Sequence, residues 1–350
     1  MTIEIAGRSI GPEHAPFVIA EMSGNHNQSL DKALAIVEAA AQAGAHAIKL
    51  QTYTADTMTL NLRGGSFEIS DPDSLWAGRN LHDLYQQAHT PWEWHAPIME
   101  RARELGLICF SSPFDETAVD FLEELGAPAY KIASFENNHL PLIKKAASTS
   151  KPLIISTGMA TLGELDEAVR TARDSGCTQL ALLKCTSTYP ATPNNTNIRS
   201  IPHIRDMFGV EVGLSDHTMG VGVAVASVAL GASIIEKHFT LSRAEGGVDS
   251  SFSLEPSELN TLVLESKRAW QSLGQVSYGP TNSEQKSLQF RRSVYVAEDI
   301  AVGEKFNTSN IRIVRPGDGA PPHFYSHLLG RTSLRAFKQG TPLSLDQLLS

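Results

Sequence analysis

Short apolar runs alternate with longer amphipathic segments along most of the chain. Eight runs have strand character: FVIAE from Phe17, AIKLQ from Ala47, LICFSS from Leu107 and AYKIAS from Ala129, then PLIIST from Pro152, LALLKC from Leu180, VEVGLS from Val210 and SIIEKH from Ser233. Segments of helical period separate them, among them DKALAIVEAAAQAG, WEWHAPIMERARELG, ETAVDFLEELG and LGELDEAVRTARDSG. Several end in glycine, a common helix stop. A last helical pattern, SELNTLVLESKRAWQSLG, follows the eighth run, with Ser257 as its expected cap and Glu258 close behind.

Strict alternation with eight strands predicts an α/β fold of the (β/α)8 TIM-barrel type. Near-continuous apolar strands suit a parallel sheet covered on both faces. A doubly wound open sheet is the alternative, but no Gly-x-Gly-x-x-Gly turn follows the first strand. Residues 53–91 are too many for an ordinary βα loop and read as a lid, with Gly64-Gly65 for flexibility and aromatic residues for cover. Past Gly274 the pattern fades into polar, aperiodic GQVSYGPTNSEQKSLQFRRS. The expected division is a barrel over 1–275, a linker over 276–292 with the boundary near 285, and a small module of short strands over 293–350.

Composition narrows the function. The chain of 350 residues carries a formal charge of −9 and no basic cluster, which argues against a nucleic-acid partner. An anionic substrate would have to be held by a few local cations against the overall field. Cys109, Cys177 and Cys185 have neither zinc-ribbon nor disulfide spacing and read as reduced core thiols. No run of about 18 apolar residues occurs, and MTIEIAGRSIG lacks the core of a signal peptide. The expectation is a soluble, cytoplasmic protein without a membrane partner.

In a β/α barrel the C-terminal strand ends line the active site. Glu21 ends the first strand, followed by Asn25 and His26. Lys49 and Gln51 share one face of the second. Ser111-Ser112, then Lys131 and Ser134 with Glu136 beyond, and Ser156 end the next three. Lys184, leading to Thr186, Ser187 and Tyr189, belongs to the sixth; Ser215 and His217 to the seventh; His238 to the eighth. Singly, such a lysine is often solvated, such a serine often a helix cap, and such a histidine often a core residue. Together they mark one polar mouth. His217 and His238 stand on neighbouring strands, about 4.8 Å apart, so both imidazoles can meet one ion. Two nitrogen ligands suit an exchangeable Mn²⁺, Mg²⁺ or Co²⁺ better than structural zinc. Lys49 and Lys131 beside strand-end hydroxyls suit a phosphate or carboxylate, and Glu21 and Glu136 suit acid–base work. The residues alone point to a metal-assisted enzyme acting on a small phosphorylated anion.

The stretches IAEMSGNHNQSLDKA, IKLQTYTADTMTL, CFSSPF, AYKIASFE, ISTGMA, KCTSTYP, GLSDHT and EKHFT together resemble the sialic acid synthase family, in its order and along the whole chain. The C-terminal piece resembles that family's antifreeze-like (SAF) domain. QTYTADTMTL, LWAGRNLHDLYQQAHTPWEWH, SSPFDE and KIASFE look most like the branch of pseudaminic acid synthases. The resemblance implies condensation of phosphoenolpyruvate with an open-chain acetamido sugar, releasing phosphate and forming a nonulosonic acid. For that branch the sugar is 2,4-diacetamido-2,4,6-trideoxy-L-altrose. It implies His217 and His238 as metal ligands, Mn²⁺ before Mg²⁺ or Co²⁺. It implies Lys49, Ser112, Lys131, Ser134, Ser156 and Ser215 at phosphoenolpyruvate, and Gln51, Tyr189 and Asp249 at the sugar. Glu21 and Glu136 match the family's two glutamates. Arg315, in VRPGDG, matches an arginine inserted into a partner's barrel, which implies a domain-swapped homodimer. Sialic acid synthases usually have Asn at Ser187 and a more proline-rich segment at GGVDSSFS, so N-acetylmannosamine fits less well. N-acetylneuraminate and legionaminate synthases are the alternatives within the family. A Schiff-base aldolase using Lys49, Lys131 or Lys184, and a carbohydrate- or ice-binding protein, are the rivals outside it.

Overall fold

Two three-residue strands, β1 (Ile3–Ile5) and β2 (Arg8–Ile10), open the computed structural model as an antiparallel hairpin. The structure describes residues 2–344 and Asp346. Eight parallel strands follow: β3 (Phe17–Glu21), β4 (Ala47–Thr52), β5 (Ile108–Pro113), β6 (Tyr130–Ile132), β7 (Leu153–Ser156), β8 (Leu180–Cys185), β9 (Glu211–Ser215) and β10 (Ile234–His238). Each pairs with the next, and β10 pairs with β3 to close the barrel. All eight expected strands are present. Contacts divide the chain into two compact units, Met1–Gly274 and Gln275–Ser350.

Side-chain alternation splits the barrel's apolar residues into two sets. Val18, Ala20, Ile48, Leu182 and Ile235 face the helices. Phe17, Ile19, Ala47, Phe110, Ile154, Leu183 and Ile234 face inward and pack against Ile3, Ile5 and Ile10 of the hairpin. Several of these inward residues begin their strands, so the hairpin stops the N-terminal end of the barrel. Each of its three isoleucines is fully buried and contributes about 1.5–3 kcal/mol. The sequence reading missed this hairpin because three-residue strands are too short to show a period.

The helices form where the apolar spacing puts them. Leu30–Gln42 buries Ala33, Ile36, Val37 and Ala40, one stripe, and Ser29 caps it by accepting from the Lys32 N–H. The last barrel helix, Pro256–Leu273, is capped by Glu255 and not by Ser257. Glu255 and Glu258 form a reciprocal box, and Pro256 takes the first position, where no N–H is needed. Gly213 is required where β9 meets β10: a Cβ there would lie 2.3 Å from the Ile234 carbonyl oxygen. Any side chain would push apart the two strands that lead to His217 and His238. The 53–91 segment is ordered into helices Ala55–Met58 and Leu81–Ala88 with a 3₁₀ turn at Gly65–Phe67.

In the second unit, Asn282–Phe290 form a 3₁₀ helix within the span read as a linker. β11 (Ser293–Val296) and β12 (Ile311–Val314) pair antiparallel. A small core of Val294, Val296, Ile300, Phe306, Ile311 and Phe337 supports them. Among the described residues, no helix is long and apolar enough to cross a membrane. All three cysteines are buried and unpaired as disulfides.

Candidate active site

The C-terminal mouth of the barrel has a charged floor. Lys49 of β4 lies 2.5 Å from Glu21 of β3 and donates to Ser112 Oγ of β5 at 3.0 Å. Gln51 Nε2 donates to Glu21 Oε1 at 2.9 Å. Lys131 of β6 donates to Glu236 of β10 at 2.9 Å, and Ser215 of β9 donates to the same oxygen at 3.0 Å. Lys49 reaches Glu236 as well, at 3.7 Å. Two ammonium groups and two carboxylates thus alternate across four strands, all at most 4 % exposed.

Burial disfavours every one of these charges, and the pairing decides which survive. For Glu236, Lys131 and Lys49 outweigh burial and hold its pKa down to about 2. For Lys49, Glu21 and Glu236 outweigh burial and raise its pKa. Glu21 goes the other way: burial, with Glu236 nearby, raises it despite Lys49. Lys49 is therefore fixed as an ammonium ion, the opposite of the free amine that a Schiff base needs.

Glu236 was absent from the sequence reading, although it precedes His238 by two residues and must share its face. His238 stands one layer above it. The rings of His217 and His238 have centroids 5.3 Å apart. His217 Nδ1 faces the Thr186 carbonyl at 2.9 Å, which places a proton there. Against burial, Cys185 and that carbonyl raise His217 above the ordinary imidazole pKa, so a cation at Nε2 would displace a proton. His238 Nδ1 is buried without a hydrogen-bond partner, with Asp249 Oδ2 3.6 Å away. Burial and the neighbouring His217 hold His238 well below the ordinary imidazole pKa, so its ring is neutral at pH 7. Two facing imidazoles, each with a ring nitrogen that the protein does not hold, fit a divalent cation that keeps its other positions for water or substrate. No group of three or more His, Cys, Asp or Glu among the described residues is arranged to hold a metal.

The remaining expected residues ring the same mouth. Ser187 donates to Ser134 at 2.8 Å, and Gly158 lies against both: a Cβ there would sit 2.7 Å from Ser134 Cβ. Ser156 Oγ is buried with no partner, as is one oxygen of Glu136. Burial raises Glu136 to about 7, against the pull of Lys131, so half of it carries a proton near neutrality. Tyr189 packs on His217 at 4.6 Å and on Phe252 at 5.3 Å. Asp249 accepts a hydrogen bond from Ser23. Cys185, read as a core thiol, faces this mouth 4.0 Å from His217 Nδ1; His217 outweighs burial and lowers it to about 7.

Three strand-end residues lie elsewhere. Lys184 points out of the barrel, since Ala181, Leu183 and Cys185 occupy the inward positions, and it donates to its neighbour's carbonyl. Ser111 joins Thr52 and His95 on the outer face. His26 packs on Trp94 and pairs with Thr90. Arg315 lies in the second unit, exposed, after β12.

Comparison with known proteins agrees with the barrel fold. A family model described as the NeuB family matches residues 36–278, and one for the SAF domain matches 291–349. A pseudaminic acid synthase from Campylobacter jejuni is 43% identical over 327 residues, 93% of this chain and 95% of that protein. An N,N'-diacetyllegionaminic acid synthase from the same organism is 34% identical over 92% of this chain and 97% of its own length. The crystal structure of an N-acetylneuraminic acid synthetase from Leptospira borgpetersenii covers 83% of this chain and 96% of that one. Its TM-score is 0.73 at 30% identity. The chain therefore belongs to the NeuB family, with a SAF domain following the barrel in sequence.

Proposed function

We propose that this chain is a pseudaminic acid synthase. It condenses phosphoenolpyruvate with 2,4-diacetamido-2,4,6-trideoxy-L-altrose, giving pseudaminic acid and phosphate. The observation that carries the chemistry is the lysine–carboxylate floor directly beneath a facing histidine pair. The greater likeness to the C. jejuni pseudaminic acid synthase than to the legionaminic one supports the choice of sugar.

In this reading Lys49 and Ser112 take the carboxylate of phosphoenolpyruvate. Lys131, Ser134, Ser156 and Ser215 take its phosphate, the unpartnered Ser156 hydroxyl among them. His217 and His238 would hold a divalent cation, Mn²⁺ by preference, which polarises and orients the sugar aldehyde when bound. Carbon 3 of phosphoenolpyruvate bonds to the aldehyde carbon, and the aldehyde oxygen becomes a hydroxyl with the proton that Glu136 carries. Carbon 2 is left cationic, facing Glu21. Water adds there and gives its proton to Glu21. Cleavage of the bond between carbon 2 and the phosphate oxygen then expels phosphate, which takes the proton of the carbon-2 hydroxyl as that oxygen becomes the ketone of the keto acid. Gln51, Ser187, Tyr189 and Asp249 position the sugar, and the rings of Tyr189 and Phe252 keep bulk water from the cation.

We also infer that Arg315 works from a second copy in a domain-swapped homodimer. In support, it is exposed and forms no hydrogen bond among the described residues of its own unit. A cytoplasmic setting is supported by the three free thiols.

The test is to incubate purified protein with phosphoenolpyruvate, Mn²⁺ and a panel of acetamido sugars, following phosphate and identifying products by mass spectrometry. Turnover of the diacetamido sugar is expected. Preference for N-acetylmannosamine would move the chain to the N-acetylneuraminate branch. No phosphate release with any 2-acetamido aldose would refute the reading.

A further inference from the structure

The 53–91 segment holds a feature that the chemistry above leaves unused. Leu75 and Trp76 face Asn27, Gln28 and the Gly247–Ser251 turn across a cleft of about 530 Å³. Two walls connect this cleft to the histidine pair. On one, Tyr189 packs tilted against His217 at 4.6 Å and Trp76 tilted against Tyr189 at 5.8 Å. On the other, Trp76 Nε1 donates to the Val248 carbonyl at 3.1 Å, and the next residue, Asp249, lies 3.6 Å from His238. Trp76 thus stands between the histidine pair and the cleft, touching Tyr189 of the mouth and bonded to the Gly247–Ser251 turn.

Its lining has a definite chemical preference. Asn27 spends its N–H on the Gly246 carbonyl, and Gln28 spends its own on the carbonyls of Gln87 and His89. Among the described residues, nothing donates to the side-chain carbonyl oxygens of either. Both residues are exposed, and these oxygens can accept from an N–H or O–H donor that enters the cleft. Leu75 and the indole supply an apolar wall opposite. Gly247 keeps the space open: its φ is +144°, and a Cβ would lie 3.0 Å from Asn27 Oδ1. An acylamino group combines an N–H donor with a methyl, and matches both sides of the cleft.

We propose that this cleft is the subsite for the far end of the sugar, that it selects an acylamino substituent there, and that Trp76 determines that specificity. The proposal rests on the reading of the chain as a synthase acting on acetamido sugars. It is tested by comparing wild type, Trp76→Ala and the cleft-filling Ser251→Phe. The two substrates are the 2,4-diacetamido sugar and its analogue with a 4-hydroxyl in place of the 4-acetamido group.

Both variants should raise KM for the diacetamido sugar about tenfold or more, the scale on which pocket contacts discriminate. KM for phosphoenolpyruvate should hold, and the preference for the diacetamido sugar should fall about tenfold. An active wild type whose preference survives both substitutions overturns the subsite. So does an equal loss with both sugars, which would make Trp76 a mere cover. A wild type inert toward both sugars overturns the functional reading and this proposal with it.

Discussion

Replacing Glu236 by glutamine should destabilise the free enzyme while increasing the stabilisation it gains from phosphoenolpyruvate. Glu236 lies 2.9 Å from Lys131 and 3.7 Å from Lys49, and all three are buried. At an effective dielectric constant of about 20, those attractions are about 5–6 and about 4–5 kcal/mol before desolvation is charged against them. Removing one side of such a buried pair costs about 3–5 kcal/mol net, because the opposite charges are left uncompensated. For a unit of this size that is a fall in Tm on the order of 10 °C. Phosphoenolpyruvate would bring its own negative charge to the same two ammonium groups and take over the neutralisation. The ligand-induced rise in Tm should therefore be larger in Glu236→Gln than in wild type. Thermal melts with and without phosphoenolpyruvate measure both quantities. An unchanged Tm, or a smaller ligand-induced rise, would refute the idea that Glu236 holds the two lysines in readiness for an anion.

Three further outcomes are expected. Glu136, raised to about 7, is protonated below that pH and charged above it, so turnover should fall as pH rises through about 7 if its proton is used. Glu136→Gln should run slower and lack that limb; a limb that persists in its pH–rate profile would remove Glu136 as the donor. His238→Ala should lose tight Mn²⁺ binding by calorimetry together with activity, and retained affinity would contradict the ligand role. Arg315→Ala should impair turnover while the barrel melts normally. Mixing it with inactive His238→Ala should restore activity if the arginine serves the partner's site, and no rescue would count against the swap.

The barrel strands were legible because a parallel sheet covered on both faces leaves unbroken apolar runs. The mouth was legible because polar groups cannot end those runs by chance eight times over. The same period of two carried more than was read from it. Glu236 shares a face with His238, and Lys184 cannot face inward if Leu183 and Cys185 flank it on the other side. His26 looked like part of the mouth because it follows β3, yet it packs between helices against Trp94. The cleft under Trp76 was beyond sequence reasoning, since it joins residues about 50 and 170 positions apart with no shared pattern.

The hairpin that stops the barrel's lower end leaves one doorway for everything. The lysine floor sits deeper than the histidines, so the smaller acid has to be seated before the sugar arrives above it. A sugar that arrives first blocks the way down. Entry should thus be a queue with phosphoenolpyruvate at its head, seen as compulsory-order kinetics with inhibition by excess sugar.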